Sequence, residues 1–153
     1  MRVHVMSKKS FDDLMRSNGI DNDNVEDQKD TFFVSINNTS SESTYFTDKA
    51  NVKVMFFDDT ETDLDVPIIG TGKTEHKKAF TPDQARDLFR FIESHADKAT
   101  CIVHCAAGIS RSGAVGTFIS DFNGCDWFEF KRTNPQVQPN GLVLRLLKNE
   151  ANF

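Results

Sequence analysis

The run His-Cys-Ala-Ala-Gly-Ile-Ser-Arg-Ser at residues 104–112 decides the fold predicted for this chain. A short apolar run at 101–103 leads into it, and a helix-like run at 111–122 follows it. Where a strand ends in a glycine-containing loop that opens a helix, the unpaired N–H groups of the loop point at one position, and the helix dipole favours negative charge there. The sequence therefore predicts an oxyanion-binding loop between a strand and a helix.

Two side chains of this loop, Cys105 and Arg111, carry the predicted chemistry. The Arg111 guanidinium is a planar, two-pronged donor that matches phosphate oxygens. The same positive field favours the thiolate of Cys105 over its thiol, and a thiolate is a strong nucleophile. We therefore predict a phosphate site with a nucleophile beneath the bound phosphorus.

The run at 104–112 resembles the active-site signature of the cysteine-dependent protein phosphatases, in which His-Cys is followed by five residues, then Arg, then Ser or Thr. The matching positions are His104, Cys105, Gly108, Arg111 and Ser112. The Ala-Ala-Gly-Ile-Ser filling is similar to that of the small dual-specificity phosphatases. The resemblance implies a protein phosphatase that hydrolyses phosphotyrosine, together with phosphoserine and phosphothreonine, through a cysteinyl-phosphate intermediate.

The resemblance also implies a role for each residue of the loop. Cys105 would be the nucleophile, Arg111 would bind the phosphate, and Ser112 would stabilise the sulfur as a leaving group. His104 would hydrogen-bond to the backbone and orient the loop. Asn140, in a Pro-Asn pair ahead of the last predicted helix, would brace the loop, and it is also a candidate helix N-cap. The residues expected to bind the phosphate are Cys105, Ala106, Ala107, Gly108, Ile109, Ser110 and Arg111.

A general acid must protonate the oxygen that leaves, because the phenol of tyrosine has a pKa of about 10. In the phosphatase family this acid is an Asp on a loop after another strand. The apolar run at 52–57 ends in two carboxylates, and the Asp-Thr-Glu found there is similar to the acid loop of the dual-specificity enzymes. We predict Asp59 as the acid, with Asp58 as the alternative and Asp63 and Asp65 as further candidates.

The chain departs from the family after this loop. About twenty residues separate Asp59 from the next predicted helix, where small dual-specificity enzymes usually have fewer. The extra segment, 69–78, contains two glycines and three lysines. A mobile flap, a basic contact for the substrate and a longer exposed loop are the three interpretations of this segment.

The pattern of apolar residues predicts an α/β domain. Strands are expected at 2–6, 31–36, 52–57 and 100–104, and helices at 10–18, 81–95, 111–122, 126–132 and 140–149. This alternation implies a mostly parallel sheet of about four to five strands with helices on both faces. Ligands of such sheets bind beyond the carboxyl ends of the strands. The strand at 2–6 is expected at an edge, and the apolar run at 52–57 is typical of a strand buried on both faces.

Composition limits the classes of partner. The chain has 153 residues, 38% hydrophobic and 27% charged, as expected for one soluble domain over 1–153. It has no apolar run of membrane length, and its N-terminus lacks a secretory pattern. A net charge of −5 disfavours nucleic acid. The expected partner is a phosphorylated protein or peptide, with no nucleic acid and no membrane, and the expected form is a monomer. No cofactor and no metal are expected, because loop amides and Arg111 supply the charge stabilisation.

The three cysteines, Cys101, Cys105 and Cys125, are too scattered for a disulfide framework or a zinc site. A cytoplasmic location is expected, because a reducing compartment keeps thiols free. Cys101 and Cys125 are predicted to be structural, and a protective disulfide between Cys101 and Cys105 is the alternative. In the cytoplasm the N-glycosylation sequons at Asn37 and Asn38 would not be used.

Two other functions remain open. A protein that kept Cys105 and Arg111 but lost a competent acid would be a catalytically inactive phosphopeptide-binding relative. A phosphatase of RNA 5′-ends or of small phosphorylated metabolites is the second enzymatic option, although the low basic content disfavours RNA. The loop lacks the lysines expected where inositol phosphates bind. The Trp-Pro-Asp acid loop of the large phosphotyrosine-specific enzymes is missing, since Trp127 is the only tryptophan.

Overall fold

The computed structural model describes all 153 residues, Met1–Phe153. The strands are β1 (Arg2–Ser7), β2 (Thr31–Asn37), β3 (Val52–Phe56), β4 (Leu64–Ile68), β5 (Lys73–Lys77) and β6 (Thr100–Cys105). The helices are α1 (Lys8–Ser17), α2 (Pro82–Ser94), α3 (Arg111–Phe122), α4 (Trp127–Thr133) and α5 (Gly141–Ala151), and a short 3₁₀ turn spans Val25–Asp27. None of these helices combines the length and the apolar character needed to cross a membrane.

The central sheet has four parallel strands in the order β1-β6-β2-β3, which confirms the predicted α/β class. In this register Ser7 of β1 lies opposite Cys105 of β6, and Asn37 of β2 lies opposite Phe56 of β3. Because all four strands run in the same direction, the loops that follow them meet at one edge of the sheet. The loop at 106–110 therefore lies beside the loops that follow β2 and β3.

Helices cover both faces of this sheet, as alternation along the strands requires. On one face Phe11 and Met15 of α1 pack with Phe33 and Phe46 in a small aromatic cluster. On the other face α2, α3 and α5 enclose the larger core. Residues 111–120 of α3 are buried on all sides, because the sheet lies against one side of this helix and α5 against another. The start of α3 is thereby fixed beneath the loop that precedes it.

Two details of the predicted elements are wrong. The third strand, predicted to be buried on both faces, is β3 at the edge of the sheet, and Phe56 is 43% exposed because β3 has a neighbour on one side only. The first helix begins earlier than predicted, since the Ser7 hydroxyl accepts the Ser10 N–H at 3.1 Å and caps the helix in place of Ser10. The edge position predicted for the first strand is confirmed.

The extra segment, 69–78, belongs to an antiparallel hairpin of β4 and β5, in which it supplies the turn and β5. Gly70 and Gly72 in its turn have φ values of 79° and 68°, which favour glycine. The two strands pack chiefly against each other, and most of their side chains are exposed. The segment is therefore a projecting hairpin with regular strand pairing.

The alternative disulfide between Cys101 and Cys105 is wrong. Both residues lie on β6, four positions apart, and an extended strand separates such Cα atoms by about 13 Å. A disulfide tolerates a Cα separation of no more than about 7 Å. All three cysteines are free thiols, and burial raises the pKa of Cys101 well above its usual value.

Candidate active site

The loop at 106–110 passes so close to β1 that Gly108 is required. Gly108 has a φ of 73°, and a Cβ atom there would lie 2.4 Å from the carbonyl carbon of Met6 and the nitrogen of Ser7. The side-chain amide of Gln136 fastens the loop to β1, since Nε2 donates to the carbonyls of Gly108 at 3.1 Å and Val5 at 3.0 Å. The loop is thus held on both sides by the backbone of the domain.

Cys105 lies at the base of this loop and is 2% exposed. Its Sγ lies 3.0 Å from the hydroxyl of Ser112, on the first turn of α3. Burial alone would raise the pKa of Cys105. Hydrogen bonds from the Ser112 hydroxyl and from the amides of Ser112 and Gly108, together with the charge of Arg111, outweigh burial and lower this pKa. The sulfur is therefore in an environment that favours the thiolate.

Arg111 is buried, and neutral groups hold its guanidinium. Nη1 donates to Oδ1 of Asn38 at 2.8 Å and to the carbonyl of Phe57 at 2.9 Å. Nε is buried and makes no hydrogen bond. Because Nη1 is occupied, the edge of the guanidinium formed by Nε and Nη2 is left for a ligand. The two parallel N–H groups of such an edge can bind two oxygens of one phosphate.

His104 connects the loop to the centre of the sheet. Nδ1 faces the Cys105 carbonyl at 3.4 Å, and Nε2 lies 2.7 Å from the hydroxyl of Ser35. Because a carbonyl only accepts, Nδ1 carries the proton and Nε2 accepts the Ser35 hydroxyl. Ser35 in turn accepts the side-chain amide of Asn37 at 3.2 Å. His104 therefore holds the carbonyl at the start of the loop.

Asp59 reaches the loop directly. Its Oδ1 accepts hydrogen bonds from the Ser110 hydroxyl at 2.8 Å and from Nδ2 of Asn140 at 3.0 Å. Ser110 occupies the N-cap position of α3, yet its side chain makes no capping bond because it donates to Asp59 instead. No protein group donates to Oδ2 of Asp59, so one oxygen anchors the carboxyl and the other is free.

Asn140 caps α5 and also contacts the loop at 106–110. Its Oδ1 accepts the Val143 N–H at 3.1 Å and caps α5. Its own N–H donates to the Ser110 carbonyl at 3.0 Å, and its Nδ2 donates to Asp59. Asn140 therefore links the loop at 106–110, the acid loop and the last helix.

Asp58, the alternative acid, points away from the loop at 106–110. It is 2% exposed and accepts hydrogen bonds from the hydroxyl and N–H of Thr39, at 2.6 and 3.1 Å, and from the N–H of Lys78 at 2.8 Å. Burial acts to raise the pKa of Asp58, but these hydrogen bonds lower it. A carboxylate held in this way braces its own loop. Asp63 accepts the Ala79 N–H and Asp65 contacts His76, so neither reaches the site.

Sequence reasoning missed Asn38, Thr39, Gln136 and Ser35 as parts of this site. Asn38 and Thr39 follow β2 directly, at the sheet edge where the loops meet, and this position is the signal that could have identified them. The local sequence at Asn38 indicates only a glycosylation sequon, Asn38-Thr39-Ser40, and gives no sign of a contact with Arg111. Gln136 and Ser35 act through side-chain hydrogen bonds, which leave no pattern in the sequence.

No group of three or more His, Cys, Asp or Glu side chains lies close enough together to hold a metal ion.

Comparison with solved structures identifies the fold. The chain is similar to the PTP-2 phosphatase of Cydia pomonella, with a TM-score of 0.54 and 19% identity over 97% of this chain and 85% of that one. Tk-PTP in its active form has a TM-score of 0.47 and 20% identity, over 99% and 92% of the two chains. The human tyrosine phosphatase-like serine/threonine/tyrosine-interacting protein has a TM-score of 0.48 and 15% identity, over 84% and 81%.

The first of these similarities confirms that the chain has the fold of the protein tyrosine phosphatases, as the resemblance of residues 104–112 implies. No protein-family model matches the sequence, and no curated protein sequence matches it.

The titration of His104 is expected to couple stability to pH. Burial lowers the pKa of His104 from 6.5 to about 4. The unfolded chain takes up this proton near pH 6.5, whereas the folded chain does not, so stability is lost as pH falls below 6.5. His104 should contribute a loss of about 2 kcal/mol in unfolding free energy between pH 7 and pH 5. Urea unfolding at both pH values should give a smaller loss for His104→Asn. Equal losses would mean that His104 titrates normally when folded.

The thiol of Cys105 is expected to ionise below the usual range. In a Cys125→Ser background, the rate of alkylation by iodoacetamide against pH should follow the thiolate of Cys105, because burial raises the pKa of Cys101 well above its usual value and keeps it a thiol. Ser112→Ala removes the hydroxyl that lowers the pKa of Cys105, so its profile should move to higher pH. Coincident profiles for the two proteins would show that Ser112 does not stabilise the thiolate.

Proposed function

We propose that the chain is a phosphoric monoester hydrolase that removes phosphate from phosphotyrosine in proteins or peptides, and from phosphoserine and phosphothreonine. One observation carries the proposal: the buried Sγ of Cys105 lies 3.0 Å from the Ser112 hydroxyl, beside an Arg111 guanidinium edge that has no protein partner. That arrangement combines a stabilised nucleophile with a binding site for a dianion. A carboxyl oxygen of Asp59 without a hydrogen bond completes it.

The first step transfers the phosphoryl group to sulfur. The loop amides and the Nε–Nη2 edge of Arg111 bind the phosphate oxygens, and the Cys105 thiolate attacks phosphorus in line. As the S–P bond forms, the P–O bond to the substrate breaks, and Asp59 donates its proton to the departing oxygen. Ser110 and Asn140 hold the other oxygen of Asp59 during this transfer.

The second step releases phosphate. The Asp59 carboxylate, now acting as a base, takes a proton from a water molecule that attacks the thiophosphate, and the S–P bond breaks. The Ser112 hydroxyl, 3.0 Å from Sγ, stabilises the sulfur anion as it leaves. Asp59 ends protonated and Cys105 ends ionised, which restores the starting state.

The walls of the loop favour a peptide over a more highly charged substrate. Ala106, Ala107 and Ile109 add no cation to Arg111, and Ile109 is 38% exposed, so it offers an apolar surface to an aromatic ring. Within the loop, a substrate with several phosphates would find one guanidinium only. Because the proposed nucleophile is a thiolate, a reducing compartment such as the cytoplasm is the proposed setting.

Turnover of two substrates with different leaving groups tests the mechanism. Asp59→Asn should lower kcat for phosphotyrosine by about 10²–10⁴-fold, because the departing oxygen loses its proton donor. The loss should be smaller for para-nitrophenyl phosphate, whose phenol is more acidic and needs less help. The alkaline limb of the pH–rate profile should also disappear. Cys105→Ser should abolish turnover and the cysteinyl phosphate trapped by rapid denaturation.

Asp58→Asn is the matched control, since Asp58 braces the loop without facing the site. Its loss should be the same for both leaving groups and should leave the alkaline limb in place. The reverse pattern would make Asp58 the acid. Wild-type protein that binds a phosphotyrosine peptide but turns over neither substrate would support the inactive binding protein instead.

Asn38→Ala is expected to weaken phosphate binding through Arg111. The substitution removes one of the two acceptors of Nη1, and a hydrogen bond to a charged group contributes about 1.5–3 kcal/mol, so inhibition by inorganic phosphate should weaken by roughly 10–100-fold. Asn38→Asp keeps an acceptor but adds a negative charge, and it should also weaken this inhibition. Ser43→Ala, at an exposed position of the same connection, should have no effect. Unchanged inhibition in Asn38→Ala would mean that Phe57 alone holds Arg111.

A further inference from the structure

The hairpin of β4 and β5 has an apolar face with no partner. Its register places six side chains on this docking face: Leu64, Val66, Ile68, Lys73, Glu75 and Lys77. Leu64, Val66 and Ile68 are 39–47% exposed, and Ile69 at the turn is 97% exposed. Because no other helix or strand packs extensively against the hairpin, the domain itself does not cover this surface. Neighbouring apolar side chains left exposed in this way mark interaction sites.

The base of the hairpin is joined to the acid loop. The Asp58 N–H donates to the Lys78 carbonyl at 2.7 Å, and the Lys78 N–H donates to Oδ2 of Asp58 at 2.8 Å. Oδ1 of Asp63 accepts the Ala79 N–H at 2.9 Å. Asp59, the residue after Asp58, contacts Ser110 in the phosphate loop. The base of the hairpin is therefore connected through Asp58 and Asp59 to the proposed catalytic site.

Charge limits what this face would bind. Lys77 pairs with Glu75 at 3.0 Å, whereas Lys73 makes no ion pair. The face therefore presents three apolar side chains and one uncompensated positive charge. A complementary partner has apolar side chains with an acidic residue beside them.

We propose that the docking face binds a segment of the phosphoprotein substrate, apolar and acidic in character, while the phosphorylated residue occupies the loop at 106–110. This inference rests on the proposed function and adds to it a selection for proteins over small phosphates. A phosphate ester without a polypeptide cannot contact the hairpin. The hairpin would then raise affinity for protein substrates without taking part in the chemistry.

The test replaces the three apolar side chains of the docking face with threonine, which keeps β-propensity. The variant is Leu64→Thr, Val66→Thr and Ile68→Thr together. Its kcat/KM is measured on casein phosphorylated on tyrosine, a protein rich in apolar and acidic residues, and on para-nitrophenyl phosphate. We expect a loss of about tenfold or more on phosphocasein, since a few central side chains supply most of an interface's energy. Turnover of the aryl phosphate should be unchanged.

The matched control changes the opposite face of the hairpin, with Thr74→Ser and His76→Thr together, and should affect neither substrate. Equal loss on both substrates in the threonine variant would mean that the hairpin acts only by supporting the acid loop, and the proposal would be overturned. An unchanged kcat/KM on phosphocasein would overturn it too. So would sedimentation that finds a dimer of wild-type protein and a monomer of the threonine variant, because a second copy would then cover the face.

A binding measurement separates this inference from the proposed function. The Cys105→Ser protein cannot form the phosphoenzyme, so its dissociation constant for phosphocasein reports docking without turnover. The threonine substitutions should raise that constant about tenfold or more. A raised constant beside a wild-type protein that turns over neither substrate would contradict the catalytic proposal and leave the docking face intact.

Discussion

A buried sulfur anion is the constraint on which this structure depends. Burial disfavours charge on Cys105, and the hydrogen bonds aimed at the sulfur, together with the charge of Arg111, reverse that preference. Those donors are amides and a hydroxyl whose positions are set by the start of α3, and α3 is fixed because the core encloses it. The loop can turn its amides inward only because Gly108 approaches β1 more closely than a Cβ atom would allow. Packing far from the sulfur therefore sets its ionisation.

The site is assembled from three loops that the parallel sheet brings to one edge. Asn38, after β2, and the Phe57 carbonyl, after β3, hold the guanidinium that begins α3. Asn140 joins the acid loop to the phosphate loop from the other side. Since neutral groups hold Arg111, its charge is not cancelled within the protein. A phosphate dianion would meet the full positive charge.

The sequence predicts the strand, loop and helix that carry Cys105 and Arg111, but it does not predict the residues of other loops that contact them. The order of the central strands and of the helices follows from the apolar pattern along the chain, and the placing of Cys105 and Arg111 in one loop follows from the local run at 104–112. The strands β4 and β5 leave no such pattern and are not predicted. The edge position of β3 could not be predicted, because an apolar run does not indicate whether a strand pairs with one neighbouring strand or with two. The separate roles of Asp58 and Asp59 depend on which loop each carboxyl faces. The role of Asn38 depends on its contact with Arg111, a residue 73 positions away in the sequence.

The spacing of the cysteines has a consequence for oxidation. A low-pKa thiolate is the form that peroxide converts to sulfenic acid, and that product is normally rescued by a nearby resolving thiol. Cys101 lies about 13 Å along β6 from Cys105. Cys125 contacts the carbonyl of Met1, at the opposite end of the strands. An oxidised Cys105 would therefore find no second thiol of this chain within reach, and its recovery would depend on a diffusible reductant such as glutathione.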